Sequence, residues 1–316
     1  MKMRMLGKTG LKVSEIGLGA WQLANTQWGM DGCDEEEAVR IVAAAIECGC
    51  NFFDTAPGYS LGNSERLLGK ALGEGGKRDA AVLCTKFGHD ATGKTDWSAG
   101  ALRPSVEASL TRLRTDRLDV LLLHNPKREI LEGDQGAELR GECEKLRQEG
   151  KLVSYGASVD SSRELERIIN WPGAMAAEIL FNCFHQEPRL AFARAEARGV
   201  GLIVKVPLDS GFLSGKYDAV SKFAGVRERW SAEIVAKRGR LIEKLKGMLP
   251  VGMTMSEMAL KFVLAHGEVS TVIPGGKSVE QVRENCRASG QRLDAATVAA
   301  IRALWEKELA TEPLPW

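Results

Sequence analysis

Four residues in the first half of the chain have side chains suited to acid–base chemistry if they meet: Asp54, Tyr59, Lys86 and His124. Asp54 ends the short apolar run Asn51-Phe-Phe and is followed by Thr55-Ala-Pro-Gly58 and then Tyr59. An apolar run stopped by Pro-Gly reads as a buried strand emptying into a loop. A carboxylate at such an exit needs a partner, because desolvating a lone charge is expensive. Lys86 closes the run 81–85, and His124 closes 118–123, which is apolar but for Asp119. A phenol with a pKa of about 10 is a poor proton donor at neutral pH, and a neighbouring ammonium lowers that value. Asp54 would keep Lys86 charged and turned toward Tyr59. His124 would orient a substrate oxygen as a hydrogen-bond donor, or help shuttle the proton. The set requires no metal and suits polarising a carbonyl while a hydride arrives. No side chain delivers hydride, so a nicotinamide cofactor is implied.

Each residue alone has a plainer reading. Asp54 with Lys86 could be a structural ion pair, Tyr59 ordinary packing, and His124 a satisfied histidine. Their order along the chain, three of them at consecutive strand exits, favours a catalytic origin.

The elements that would position them alternate. Residues 2–14 read as a hairpin turning at Lys8-Thr9-Gly10. Short apolar strands follow at 16–20, 51–54, 81–85, 118–123, 152–157, 176–180, 201–206 and 271–273. Helical patterns lie between them, with caps expected at Asp34, Asn63 and Ser98. Strand–helix alternation implies a parallel sheet covered by helices, and eight units point to a closed (β/α)8 TIM barrel filling a single domain, residues 1–316. An open doubly wound sheet is the alternative. It is disfavoured because Gly17-Leu-Gly19 lacks a third glycine opening a helix. In a barrel, catalytic groups sit at the C-terminal ends of the strands.

Composition narrows the function classes. With 44% apolar and 27% charged residues the chain reads as globular, and a formal net charge of +1 favours neither nucleic acid nor an anionic membrane. No apolar run is long enough for a membrane helix, and the start, Met-Lys-Met-Arg-Met, does not read as a signal peptide. Seven scattered cysteines without metal-site spacing read as reduced thiols of a cytoplasmic protein.

The motifs resemble the aldo-keto reductase family in order along nearly the whole chain. They are Leu6-Gly-x-Thr-Gly-Leu, Asp54-Thr-Ala-Pro-Gly-Tyr59, Thr85-Lys86-Phe-Gly, Leu121-Leu-Leu-His124-Asn-Pro, Pro207-Leu-x-Ser-Gly and Ile273-Pro-Gly275 with Gln281-Val-x-Glu284-Asn285. The resemblance is to bacterial-type members, related to the branch that includes potassium-channel beta subunits. It implies a barrel reductase using NAD(P)H, with Tyr59 as proton donor, Lys86 and Asp54 as its tuners and His124 as the orienting donor. It also implies that Ser158, Glu178, Lys205, Pro207, Leu208 and Ser210 flank the nicotinamide half. Gly275, Gly276, Lys277, Gln281, Glu284 and Asn285 would hold the adenosine half. Lys277, near a helix start, would meet a 2′-phosphate, favouring NADP(H), with NAD(H) possible.

Against the family pattern, valine replaces asparagine at 159, glutamate replaces glutamine at 178, and lysine replaces the ring-stacking aromatic at 205. Lys205 would pair with Glu178 or touch the cofactor. Trp21 and Trp97 would contact substrate or cap the barrel end. The implied substrate is a small carbonyl compound or sugar. The alternatives are an oxidative sugar or polyol dehydrogenase and a nucleotide-binding regulatory subunit with little turnover. The physiological substrate and the oligomeric state are not encoded legibly.

Overall fold

The expected hairpin opens the chain. In a computed structural model that describes residues 1–23, 33–74, 76–223 and 225–316, β1 (Met3–Met5) pairs antiparallel with β2 (Lys12–Ser14). Eight parallel strands follow: β3 (Leu18–Gly19), β4 (Phe52–Asp54), β5 (Val82–Phe87), β6 (Leu118–His124), β7 (Leu152–Val159), β8 (Ala176–Leu180), β9 (Gly201–Lys205) and β10 (Val269–Val272). They are hydrogen-bonded in chain order from β3 to β10. The ends meet through parallel bridges Ile16–Val272 and Gly19–Gly275, with Gly17 N donating to Val272 O at 2.8 Å. Both glycines are required at this seam. An added Cβ would lie 2.9 Å from Phe52 O at Gly17 and 2.8 Å from Ile273 O at Gly19. The result is the (β/α)8 barrel.

The helices are α1 (Glu35–Glu47), α2 (Asn63–Gly73), α3 (Ala99–Leu113), α4 (Arg128–Glu132), α5 (Asp134–Gln148), α6 (Ser162–Asn170), α7 (Phe192–Ala197), α8 (Ala232–Lys246), α9 (Met255–Leu264), α10 (Val279–Cys286) and α11 (Ala295–Glu308). Asp34 caps α1 by accepting from Glu37 N, and Ser161 with Glu164 forms a capping box on α6. Three local expectations needed correction. Gly62, not Asn63, caps α2, because the chain arrives with φ +77°, which favours glycine. Ser98 stands at the N-cap of α3 without making the cap hydrogen bond. The last strand begins earlier than position 271.

Period-two alternation divides the apolar residues into two cores. Leu6, Val13, Phe52, Cys84, Val120, Leu122, Ala176, Ile203 and Ile273 form one cluster inside the barrel, with the hairpin residues Leu6 and Val13 contributing. A larger cluster packs the other strand faces against the helices and includes Phe53, Leu83, Leu121 and Val159. Cys84 is thus a small core residue. Asp119, the odd charge in β6, pairs with Arg78 at 3.0 Å and accepts from Leu83 N at 2.8 Å.

Candidate functional site

The inward positions that continue Phe52, Cys84, Leu122 and Ala176 toward the C-terminal mouth are Asp54, Lys86, His124 and Glu178. On β7 and β9 the corresponding positions are Ser158 and Lys205. Register lines up His124 with Ser158, and Ser158 with Glu178, across neighbouring strands. Strained backbone gathers in the loops that leave this face. Among the described residues, the non-glycine positions with positive φ are Ser60, Leu61, Asn125, Val206, Asp209 and Ser210, plus Arg114 elsewhere. Such strain persists only where surrounding structure enforces it, and it concentrates at functional sites.

Lys86 is the hub. Its Nζ lies 2.7 Å from both oxygens of Asp54, 3.0 Å from Thr55 O and 3.2 Å from Glu178 Oε2, and it is 1% exposed. Burial disfavours its charge, but Asp54 and Glu178 outweigh that and hold its pKa well above the usual lysine value. Asp54 is pushed up to about 7 by burial and by the Glu178 carboxylate, against the pull of Lys86. Burial also opposes ionisation of Glu178, yet Lys86 and Lys205 hold its pKa below the ordinary range. Atoms of Asp54, Cys84 and Glu178 lie within 4.8 Å of one another, a spacing that could hold a cation. The Lys86 ammonium is the cation found against both carboxylates.

Lys86 sits 5.4 Å from the Tyr59 ring centroid. Its effect differs from the simple expectation of a depressed phenol. Burial is the largest influence and raises the Tyr59 pKa, the two carboxylates add to it, and Lys86 offsets only part. The phenol is therefore held protonated as a weak acid. His124 lies edge-on to Tyr59 with centroids 6.1 Å apart. Burial, then Lys86, push its pKa down to about 3, so the imidazole is neutral and has one N–H to donate. Asp54, Tyr59, Lys86 and His124 therefore meet at one mouth. A neutral phenol beside a neutral imidazole, above a fixed ammonium, can donate two hydrogen bonds to a single oxygen.

The family-divergent positions fall into place differently. Val159 points away from the axis into the strand–helix core. Lys205 does not pair directly with Glu178. Its Nζ is held by Ser158 Oγ at 2.8 Å, Asn125 Oδ1 at 3.0 Å and Asp160 Oδ1 at 2.9 Å. Ser158 in turn donates to Glu178 Oε1 at 2.8 Å. Sequence reasoning missed Asn125 and Asp160. The available signal was that each follows a strand-end residue already singled out, His124 and Val159.

Beyond β9, Pro207, Leu208 and Ser210 lie on a loop turned by left-handed Asp209, Ser210 and Gly211. This loop is anchored from below. Asp209, fully buried, pairs with Arg238 Nε at 2.8 Å and lies 3.4 Å from His185 Nε2, while Arg238 donates to Pro315 O at 3.0 Å. After β10, Asn285 Nδ2 donates to Gly275 O at 3.1 Å and Gln281 Oε1 accepts from Lys277 N at 3.0 Å. These bonds wrap residues 275–278 around the start of α10. Gly276 is buried against Val282, Glu284 is half-buried, and Lys277 is exposed.

Trp97 packs against Phe87 and His89, and His89 lies 5.4 Å from His124, which puts Trp97 beside the site. Trp21 lies in the turn Ala20–Gln22 directly after β3. Positions 24–32, which follow, lie outside the described residues. Three histidines lie outside the tetrad: His89, His185 and His266. The fold gives them Thr95, Asp209 and Arg302 respectively.

Comparison with known proteins agrees with this geometry. Residues 15–306 match the model of the aldo/keto reductase family. L-galactose dehydrogenase of Arabidopsis thaliana is 32% identical, covering 97% of this chain and 95% of that protein. A Schizosaccharomyces pombe protein named for the voltage-gated potassium channel beta subunits is 32% identical, over 90% of this chain and 87% of that one. The holo form of an aldo-keto reductase from Bacillus halodurans superposes with a TM-score of 0.81 at 30% identity, covering 96% of each chain. The chain belongs to the aldo/keto reductase family and is an oxidoreductase.

Proposed function

We propose that this protein reduces an aldehyde or ketone to an alcohol with NADPH, in one barrel domain and in the cytoplasm, with Tyr59 as proton donor. The observation that carries the proposal is the convergence of Asp54, Tyr59, Lys86 and His124 at the barrel mouth, with Tyr59 and His124 both neutral. The bound nicotinamide supplies the hydride. The residues present fit a dinucleotide lying across neighbouring strand exits. Ser158 and Glu178 adjoin at the exits of β7 and β8, the loop at 207–210 follows β9, and Gly275 to Asn285 follows β10. Ser158 and Glu178 would meet the nicotinamide half; Gly276, Gln281, Glu284 and Asn285 would hold the adenosine half. Lys277 would meet the 2′-phosphate. One part does not fit the family pattern. The Lys205 ammonium is engaged on three acceptors and offers no flat face to a ring.

In the reaction so read, His124 and Tyr59 orient the carbonyl oxygen, Tyr59 passes its proton to the forming alkoxide, and Lys86 stabilises the phenolate left behind. Tyr59→Phe tests this. Carbonyl reduction should fall about 10²- to 10⁴-fold with nucleotide binding retained. Undiminished reduction by that variant would remove Tyr59 from the role.

Two other readings each have one observation in their favour. The similarity to L-galactose dehydrogenase favours a sugar or polyol oxidised with NAD+. Tighter binding of NAD+ than NADP+ would support it. The similarity to a protein named for channel beta subunits favours a nucleotide-binding partner subunit, which tight nucleotide binding without turnover on a carbonyl panel would support.

A further inference from the structure

Lys86 faces two buried carboxylates, and one ammonium neutralises only one of them. Asp54 is 3% exposed and Glu178 2%. A second carboxylate taken out of water without a cation of its own is costly. The second cation is Lys205. Its Nζ donates to Ser158 Oγ at 2.8 Å and Asn125 Oδ1 at 3.0 Å, and forms an ion pair with Asp160 Oδ1 at 2.9 Å. The Ser158 hydroxyl accepts from Lys205 and gives its own proton to Glu178. The chain of groups Asp54, Lys86, Glu178, Lys205, Asp160 thus alternates in sign from the buried centre to the rim. Asn125 is held for this task in a left-handed conformation, φ +55°, with its N–H on Ser158 O at 3.0 Å.

The geometry points to Lys205 as a positioning residue: through Ser158 it fixes Glu178 as an ionised second partner of Lys86, and so sets the field at Tyr59. Glu178 and Lys205 act as one unit, and either alone is a defect. Tyr59 and Glu178 are faced by Asp54 on β4, Cys84 and Lys86 on β5, His124 on β6 with His89 beside it, and Lys205 on β9. Each can therefore contribute to the titration. The effect on turnover rests on the reading of Tyr59 as proton donor; the effect on the Tyr59 titration does not.

The test uses the full-length protein carrying tyrosine labelled with ¹³C at the ring Cζ. It contains three tyrosines, so the Tyr59 signal is the one missing from Tyr59→Phe. In Glu178→Gln, Tyr59 should titrate lower by about one pH unit or more, because a nearby negative charge is gone. In Lys205→Met it should titrate higher than in wild type, and reduction of 4-nitrobenzaldehyde with NADPH should fall about tenfold, with a shifted pH profile. Glu178→Gln/Lys205→Met should return to within about threefold of Glu178→Gln, a coupling that independent sites do not show. If Lys205→Met does not fold, Lys205→Gln keeps a hydrogen-bonding group without the charge and carries the same expectation.

The assignment is overturned if Lys205→Met leaves the Tyr59 titration and pH profile unchanged. It is equally overturned if the double variant loses the product of the two single losses. Reduction by Tyr59→Phe at the wild-type rate would instead defeat the proton-donor reading, while the labelled-tyrosine titrations would still decide the coupling.

Discussion

The Lys86 ammonium lies 2.7 Å from both carboxylate oxygens of Asp54, a symmetric grip that leaves its remaining reach for Glu178 and Thr55 O. Removing one member of this group should therefore have very unequal effects. Lys86→Met strands two buried carboxylates and should cost about 3–5 kcal/mol of stability. Asp54→Asn leaves Lys86 with Glu178 and should cost clearly less. Paired urea denaturation curves check the order; equal losses would mean that Glu178 is not a working partner.

Exposed Lys277 beside the start of α10 bears on cofactor choice. Lys277→Ala should weaken NADPH about tenfold, the scale of one charge-assisted hydrogen bond, and NADH much less. Tryptophan fluorescence quenching measures both constants. Equal weakening of the two would dismiss the 2′-phosphate contact.

His124 should stay uncharged through the working pH range. Its pKa is driven down to about 3 by burial and Lys86. Imidazole NMR should show no titration of His124 between pH 5 and 8, and carbonyl reduction should have no limb near pH 6.5 that His124→Gln removes. A His124 titration near 6.5 would refute the buried, neutral donor.

His266 gives the stability an acid limb. Its ring lies among Phe181, Phe192 and Phe262, with Nε2 3.0 Å from Arg302 Nη2, and burial and Arg302 lower its pKa to about 4. An ordinary histidine in the unfolded chain titrates at about 6.5. Below that pH the unfolded chain binds the proton and the folded one resists it, so stability is full above about 6.5 and lost as pH falls toward 4. The loss amounts to about 2–3 kcal/mol. Melting temperatures of His266→Leu should be flatter than wild type across that window, and an identical slope would exclude His266 as the cause.

Arg238 ties three distant pieces together: Asp209 in the loop after β9, Pro315 in the tail, and the Trp230 ring at 4.5 Å. Arg238→Leu should cost about 3–5 kcal/mol by leaving buried Asp209 with His185 as its one remaining ionisable partner. Asp209→Asn/Arg238→Leu should recover part of it. Because the same loop carries Leu208 and Ser210, NADPH affinity should fall in the single variant and recover in parallel. A change in melting temperature with unaltered affinity would separate the anchor from the cofactor loop.

Much of this was legible in the sequence because period-two strands transmit position directly. Once 51–54, 81–85 and 118–123 are strands of one barrel, Asp54, Lys86 and His124 must converge. The hairpin, the cap at Asp34 and the order of strands follow from similarly local patterns. Contacts that depend on conformations in loops and between side chains were not legible. Nothing local in Asn125 announces a left-handed backbone that turns its amide to Lys205. Nothing at Asp160 shows that it will form an ion pair with Lys205. The sign of the Tyr59 shift was missed for the same reason. It depends on how deeply the hydroxyl is buried and on Glu178, a strand far along the chain, and not on Lys86 alone.

The seam between Leu18–Gly19 and Val269–Val272 has a consequence for synthesis. Of the eight barrel strands β3 is made first, and β10, which covers its open edge, is made last. Throughout elongation the nascent chain carries an uncovered β edge, and closing it is the longest-range contact the sheet must make. Chains interrupted before residue 269 should therefore associate edge to edge.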